Sequence, residues 1–309
     1  MFVGFDIGGT TVKYGVLNEQ GEILEKAAIK TSYVVEELLG DMEQIVVKAQ
    51  ANYDIEGIGI SAPGIIQKDG YMLTAGAIKP LYGMNLKQAL EQRCQLPVSI
   101  ENDANAAALA EKWIGNAQGI DNYLCMVLGT GIGGGIVLNG EVFRGAHGMA
   151  GEFGWMVIDQ LPEQGDIEEA SVNKKVATVG GLCYQYNLAQ QKNNPQAELV
   201  WDARELFARE AAGEVLATEI LAAFFVDLSV TLINLISCFD PEVILVGGGI
   251  SANEAFTQRL QETLSTVKAR HESIHYLEGK TIAPVRTAKL QNDAGMIGAV
   301  YQIYQQVKG

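Results

Sequence analysis

The sequence predicts an α/β protein of two domains, and three observations support this prediction. Short apolar segments of strand type alternate with helical segments along most of the chain. The length of 309 residues corresponds to two domains at roughly 150 residues each. A glycine-rich turn between two apolar strands occurs once in each half of the chain, which indicates an internal repeat.

In the first half, the predicted elements begin with a hairpin of strands 2–7 and 12–17, joined by the turn Gly8-Gly9-Thr10-Thr11. The remaining elements are a helix at 36–52, a strand at 55–61, a helix at 86–94, a strand at 98–100 and a helix at 104–113. We expect the boundary between the two halves near residues 115–122.

The second half begins with a strand at 123–128, a glycine-rich turn at 129–135 and a strand at 136–138. It continues with loops at 159–169 and 188–198, a long apolar helix at 214–239, a strand at 243–246, and helices at 254–267 and 292–307. The long helix is expected to be buried between layers.

Composition narrows the range of functions. The chain has 22 basic and 37 acidic residues, and its net charge of −15 makes nucleic acid an improbable partner. The four cysteines are scattered, which argues against a disulfide framework and against a thiolate zinc site. No apolar run is long enough to predict a membrane span, and no signal peptide is recognised. A cytoplasmic protein is therefore expected.

The first glycine turn has the chemistry of a phosphate site. Glycines such as Gly8 and Gly9 let backbone N–H groups approach phosphate oxygens, and Thr10 and Thr11 add hydroxyl donors. Asp6, at the end of the preceding strand, could hold a hydrated Mg²⁺. The alternative is an ordinary hairpin turn.

Two further glycine clusters suggest nucleotide contacts. Five of the seven residues from Gly129 to Gly135 are glycine, and the cluster includes Thr130 and Gly131. The conformational entropy that these glycines lose on folding favours close ligand approach over a flexible loop. A second cluster, which includes Gly248 and Gly249, follows a strand and could pack against adenine. It could equally be a simple strand-to-helix connection.

Two polar segments suggest a polyol substrate. Asp103 follows a strand, where its carboxylate could accept a proton from a sugar hydroxyl while Asn102 binds another hydroxyl. Either residue could instead be a helix N-cap. Glu152, between small residues, could accept hydrogen bonds from sugar hydroxyls, although a surface turn is the alternative.

These segments, in this order, resemble the ROK family of sugar kinases and repressors, within the actin, Hsp70 and hexokinase superfamily. The resemblance implies a two-lobed actin-like (ribonuclease H-like) ATPase fold with the active site in the interlobe cleft. The implied lobes are residues 1–117 plus 293–309, with the first phosphate motif and Asp103, and residues 118–292, with the other nucleotide and sugar segments. The resemblance also implies a homodimer.

The resemblance adds three substrate-side residues. Gly64 corresponds to the proline-glycine of the family's sugar-side loop, and either Glu168 or Glu169 corresponds to its later sugar-binding glutamate. Trp155 stands where the family usually has a histidine that binds a structural zinc with three cysteines. Residues 160–171 contain no cysteine, so we expect no zinc. Trp155 is expected either to stack on a sugar ring or to fill the space of the missing loop.

The expected function is ATP-dependent phosphorylation of a sugar, with Mg²⁺, ATP and a small sugar as ligands and Asp103 as the general base. The sugar itself could be a hexose, an amino sugar or a glucoside. A repressor is disfavoured because Asp6 lies too near the start for a preceding DNA-binding domain. An ATPase scaffold without a sugar site, or a sugar sensor without kinase activity, is the other alternative.

Overall fold

The computed structural model describes the whole chain, Met1–Gly309, and confirms a mixed α/β architecture. The strands are β1 (Phe2–Ile7), β2 (Thr11–Leu17), β3 (Ile23–Lys30), β4 (Gly57–Ala62), β5 (Tyr71–Met72), β6 (Met84–Asn85), β7 (Val98–Asn102), β8 (Tyr123–Leu128), β9 (Ile132–Leu138), β10 (Glu141–Val142), β11 (Val243–Gly247) and β12 (Val285–Thr287). The helices are α1 (Val35–Gln50), α2 (Leu86–Cys94), α3 (Asp103–Ile114), α4 (Val172–Val176), α5 (Tyr184–Asn193), α6 (Ala203–Ala211), α7 (Val215–Phe239), α8 (Glu254–Ala269), α9 (Glu272–Leu277) and α10 (Ala294–Lys308).

The two large sheets have the same topology, which confirms the internal repeat. The first sheet has the strand order β3-β2-β1-β4-β7, and the second has the order β10-β9-β8-β11-β12. In the first sheet, β1 pairs antiparallel with β2 and parallel with β4, which in turn pairs parallel with β7. In the second sheet, β11 pairs parallel with both β8 and β12.

The chain divides into two compact units. The first comprises residues 1–121, 135–151 and 292–309, and the second comprises residues 122–134 and 152–291. Residues 135–151 thus lie in the first unit, whereas the expected boundaries place them in the second. This segment begins against α3 of the same unit: a Cβ on Gly135 would lie 2.6 Å from the Ala108 methyl group.

The core of the first unit follows from the alternation of side chains along β1. Val3, Phe5 and Ile7 are buried in one hydrophobic cluster with side chains of α1 and α2. Gly4 faces the other side of the sheet, where a Cβ would lie 2.7 Å from Val300 in α10. Glycine at this position therefore allows the C-terminal helix to lie directly on the sheet.

The second unit is organised around the 25-residue helix α7. This helix is long and apolar enough to cross a membrane by length and composition alone, although no such span is expected from the sequence. Over half of the most apolar 18-residue stretch of this helix is buried inside the structure. Helices α4, α5, α6 and α8 pack around it. The burial is the pattern of a core helix.

Most predicted elements are confirmed within a few residues, and the bounds of α2 and β8 agree fully. The loop predicted at 188–198 is wrong in its first half, because α5 extends to Asn193. This polar helix is held by a tertiary contact: the buried side-chain amide of Asn187 exchanges two hydrogen bonds of 2.8 Å with the backbone of Val200.

Candidate functional site

Asp6, in β1 just before the first glycine turn, lies beside a hydroxyl and a cation on the two neighbouring strands. The Ser61 hydroxyl donates a 2.9 Å hydrogen bond to one carboxylate oxygen of Asp6, and Lys13 lies 3.6 Å from the other. A Cβ on Gly295, at the start of α10, would lie 2.5 Å from Asp6. The start of this helix therefore lies against the carboxylate, where its positive end favours negative charge.

Sequence reasoning missed Lys13. The signal that could have found it is strand pairing, because Asp6 and Lys13 are direct partners in the β1–β2 register. Both backbone polar groups of Gly8 already have partners in the protein. Its N–H donates to the Thr11 carbonyl, and its carbonyl accepts from the Thr31 hydroxyl. The exposed tip consists of Thr10 and Thr11. These two threonines are therefore the accessible donors at this turn.

The structure shows which of Asn102 and Asp103 caps helix α3. Asn102 is the N-cap of α3, because its side-chain oxygen accepts from the N–H groups of Ala104 and Asn105 at 2.9 and 3.2 Å. The same side chain donates a 3.1 Å hydrogen bond to the carbonyl of Gly64. Asp103 is the first residue of the helix and is exposed. Capping and substrate binding are thus compatible at this position.

Gly64 is brought to this site by its backbone conformation. Its φ of +99° lies in the region that favours glycine, and a Cβ there would overlap the carbonyl of Thr74. Gly64, Asn102 and Asp103 therefore form one surface in the first unit, although 38 residues separate Gly64 from Asn102 in sequence.

Glu152, Trp155 and Glu168 lie in the second unit. Glu152 is partly buried, and this burial raises the pKa of its carboxyl group above the ordinary value. Trp155 ends the short turn Phe153–Trp155, its N–H donates to the Glu152 carbonyl at 3.1 Å, and it is 49% exposed. A tryptophan this exposed does not fill a core.

The two candidate glutamates of the acidic loop differ in their surroundings. Both carboxylate oxygens of Glu169 accept from the Tyr184 hydroxyl at 3.2 Å, and Lys174 lies 3.5 Å from one of them. Glu168 is exposed, and its backbone N–H donates to Asp166. Glu168 is therefore the more accessible carboxylate of the two.

The second glycine turn is shorter than predicted. Gly129 closes it by donating to the Gly131 carbonyl at 3.0 Å, and residues 133–135 belong to strand β9. Thr178 fixes the turn from the side, because its N–H and hydroxyl both donate to the Gly129 carbonyl at 2.9 and 2.7 Å. Thr130 and Gly131 are exposed at the tip.

In the third glycine cluster, Gly248 and Gly249 have different surroundings. Gly248 has φ +94°, and a Cβ there would overlap the carbonyl of Leu128, so this glycine is required by packing. Gly249 is exposed, and a Cβ would meet nothing within 4 Å. Open space for a ligand therefore lies at Gly249.

Comparison with known proteins gives matches along the whole chain. A family model described as ROK family matches residues 2–306. A β-glucoside kinase of Listeria monocytogenes is 37% identical over 304 residues, which cover 98% of this chain and 97% of that protein.

Solved structures give the same result. A ROK family protein from Streptococcus pneumoniae in complex with sucrose has TM-score 0.84 and 30% identity, with 99% of this chain and 98% of that chain covered. A ROK family glucokinase from Streptomyces griseus in complex with glucose and AMPPNP has TM-score 0.78 and 29% identity, with 99% of each chain covered. The fold is thus the actin-like ATPase fold of such kinases.

Proposed function

The chain belongs to the ROK family and is a sugar kinase of that family, and we propose that it transfers the γ-phosphate of ATP to a sugar hydroxyl. The observation that carries this proposal is the surface formed by Gly64, Asn102 and Asp103. An exposed carboxylate next to a fixed amide can accept the proton of a hydroxyl that the amide orients. Asp103 is the general base in this proposal.

The proposed acceptor is a β-glucoside. The Listeria relative bears that name, and the exposed face of Trp155 offers an apolar surface for a pyranose ring. Glu152 and Glu168 accept hydrogen bonds from sugar hydroxyls. In a coupled assay over a panel of glucose, N-acetylmannosamine, N-acetylglucosamine and cellobiose, we expect the highest kcat/KM for cellobiose. A highest value for a monosaccharide would remove this assignment.

The nucleotide is proposed to contact the three glycine turns. Thr10, Thr11 and Thr130 supply hydroxyl donors to phosphate oxygens, and Gly249 leaves room for adenine. Asp6 fits a magnesium site, because one carboxylate together with substrate phosphates is the donor set that Mg²⁺ commonly uses with nucleotides. Bound Mg²⁺ would neutralise charge on the phosphates.

The proposal also includes a homodimer, as the family resemblance implies, and a cytoplasmic location, as the sequence predicts. Analytical ultracentrifugation is expected to give twice the 33.2 kDa mass of one chain. A sedimenting species of one chain mass at micromolar concentration would remove the dimer.

The Asp103→Asn variant tests the general base. The amide keeps the shape of the carboxylate but cannot take up the proton, so we expect kcat to fall about 10²–10⁴-fold. Mg-ATP affinity, measured by calorimetry, is expected to stay unchanged. The matched control is Asp41→Asn. It removes a different exposed carboxylate of the same unit, which lies on α1.

The outcomes separate the kinase from a sugar sensor. An Asp103→Asn enzyme with unchanged kcat would remove Asp103 from the role of base. Wild-type protein that binds the sugar but releases no ADP from Mg-ATP would instead support a sensor without kinase activity.

A further inference from the structure

Glu101, the residue before Asn102, is buried, and both oxygens of its carboxylate accept hydrogen bonds. Glu101 is 4% exposed. One of its carboxylate oxygens accepts from the Asn102 N–H and the Asn105 side chain, both at 3.0 Å. The other accepts from Nε of Arg144 at 2.9 Å, from its Nη2, and from Nε2 of Gln302 at 3.2 Å. This carboxylate therefore joins β7, α3, α10 and the segment after β10.

Arg144 also fixes the segment to which it belongs. Its carbonyl accepts from the Ala150 N–H at 3.2 Å, which closes the loop of residues 145–150. Gly145 and Gly148 in this loop have φ values of +70° and +77°. The side chain of Arg144 leaves the base of this loop and reaches Glu101, which is 43 residues away in sequence.

We propose that Arg144 is a positioning residue for Asp103, an inference that rests on the proposed function. Two N–H groups of the guanidinium donate to one oxygen of the Glu101 carboxylate, and the other oxygen accepts from the backbone N–H of Asn102. Asn102 then caps α3, whose first residue is Asp103. The position of the base thus depends on an arginine that acts through Glu101 and Asn102.

The variants are chosen so that the protein still folds. Arg144→Lys keeps a positive charge near Glu101 but loses the planar guanidinium that donates two N–H groups to one carboxylate oxygen. Arg144→Met alone would leave a buried unpaired charge, which is strongly destabilising. We therefore combine it with Glu101→Gln. In that double variant Gln302 can reverse its amide, because its side-chain oxygen is buried and has no partner in the present arrangement.

We expect kcat to fall about 10-fold in Arg144→Lys and at least as much in the double variant, with KM for ATP unchanged. The acid limb of the pH profile of kcat/KM, which reports the pKa of the general base, is expected to move in both. A merely structural role would lower Tm without moving this limb. The matched control is Arg93→Met, which removes ion pairs to Glu36 and Glu43 in the same unit. This control should keep the wild-type kcat.

The results distinguish this inference from the proposed function. If Asp103→Asn is inactive while both Arg144 variants have wild-type kcat and pH profile, the positioning role is refuted and the kinase stands. If the wild-type enzyme transfers no phosphate to any sugar, the kinase proposal fails and the positioning role fails with it.

Discussion

At the scale of one residue, the stability of the fold and the proposed sugar binding make opposite demands on Glu152. Its carboxyl group is partly buried, and burial raises its pKa. Because the folded-state pKa lies above the unfolded value, ionisation of Glu152 costs stability at neutral pH; that cost decreases as the pH falls below the folded-state pKa and is gone below the unfolded-state pKa. The proposed sugar contact, in contrast, requires the ionised form as a full acceptor.

Two measurements on Glu152→Gln test this opposition. We expect Tm at about pH 8 to rise, since the amide removes the cost of burying a charge. We expect the sugar KM to rise about 10-fold or more, because a charged acceptor is lost. In the wild-type enzyme, KM for the sugar should rise as the pH falls through the raised pKa, and Glu152→Gln should lack this rise. A wild-type KM that is flat across this range would contradict the contact.

At the scale of secondary structure elements, glycines have two different roles. Close ligand approach is the expected reason for the glycines from Gly129 to Gly135, and the structure gives Gly135 a packing role as well. This residue lies in β9, where a Cβ would lie 2.6 Å from the Ala108 side chain and 2.9 Å from the Ala104 carbonyl. Gly135 is present so that the strand can pack closely on α3.

A pair of glycine variants measures this difference in the free energy of unfolding. Gly135→Ala forces β9 and α3 apart, and we expect a loss of about 1–3 kcal/mol. Gly40→Ala lies within α1, where a Cβ would meet nothing within 4 Å, so we expect a gain of about 0.5–1 kcal/mol. Urea unfolding of both variants gives the comparison. A Gly135→Ala protein as stable as the wild type would show that the interface can yield without cost.

Polar contacts between elements determine the ends of some helices that the local pattern of apolar residues does not predict. Helix α5 has little apolar periodicity, and the buried amide of Asn187 stabilises it through the backbone of Val200. By contrast, the strand β8 and the helix α2 were predicted at their observed bounds, because the apolar run of one and the helical spacing of the other lie within the segment itself.

At the scale of the whole molecule, the net charge of −15 disfavours an anionic ligand, so the proposed nucleotide binding has to rely on local groups. Lys13 is the basic side chain beside Asp6, and the proposed phosphate contacts are otherwise hydroxyl and backbone groups with Mg²⁺. We therefore expect the affinity for Mg-ATP to depend only weakly on NaCl between about 50 and 500 mM, since few exposed ion pairs are screened.

Chelation of Mg²⁺ with EDTA should weaken ATP binding about 10-fold or more. Calorimetry measures both effects, and a steep salt dependence would point to a basic site elsewhere.

The amino-acid sequence alone is enough to predict the α/β class, the repeated glycine hairpins, and the order of motifs that resembles the ROK family. These features depend on neighbouring residues, because strand alternation, helix periodicity and turn chemistry act over a few positions. Tertiary structure alone decided that Asn102 joins Gly64 to the start of α3, and that Arg144 reaches Glu101. It also decided that Gly135 packs on a helix while Gly249 faces open space. Such contacts join residues far apart in sequence, so they follow from the packing of the folded chain and not from any local pattern.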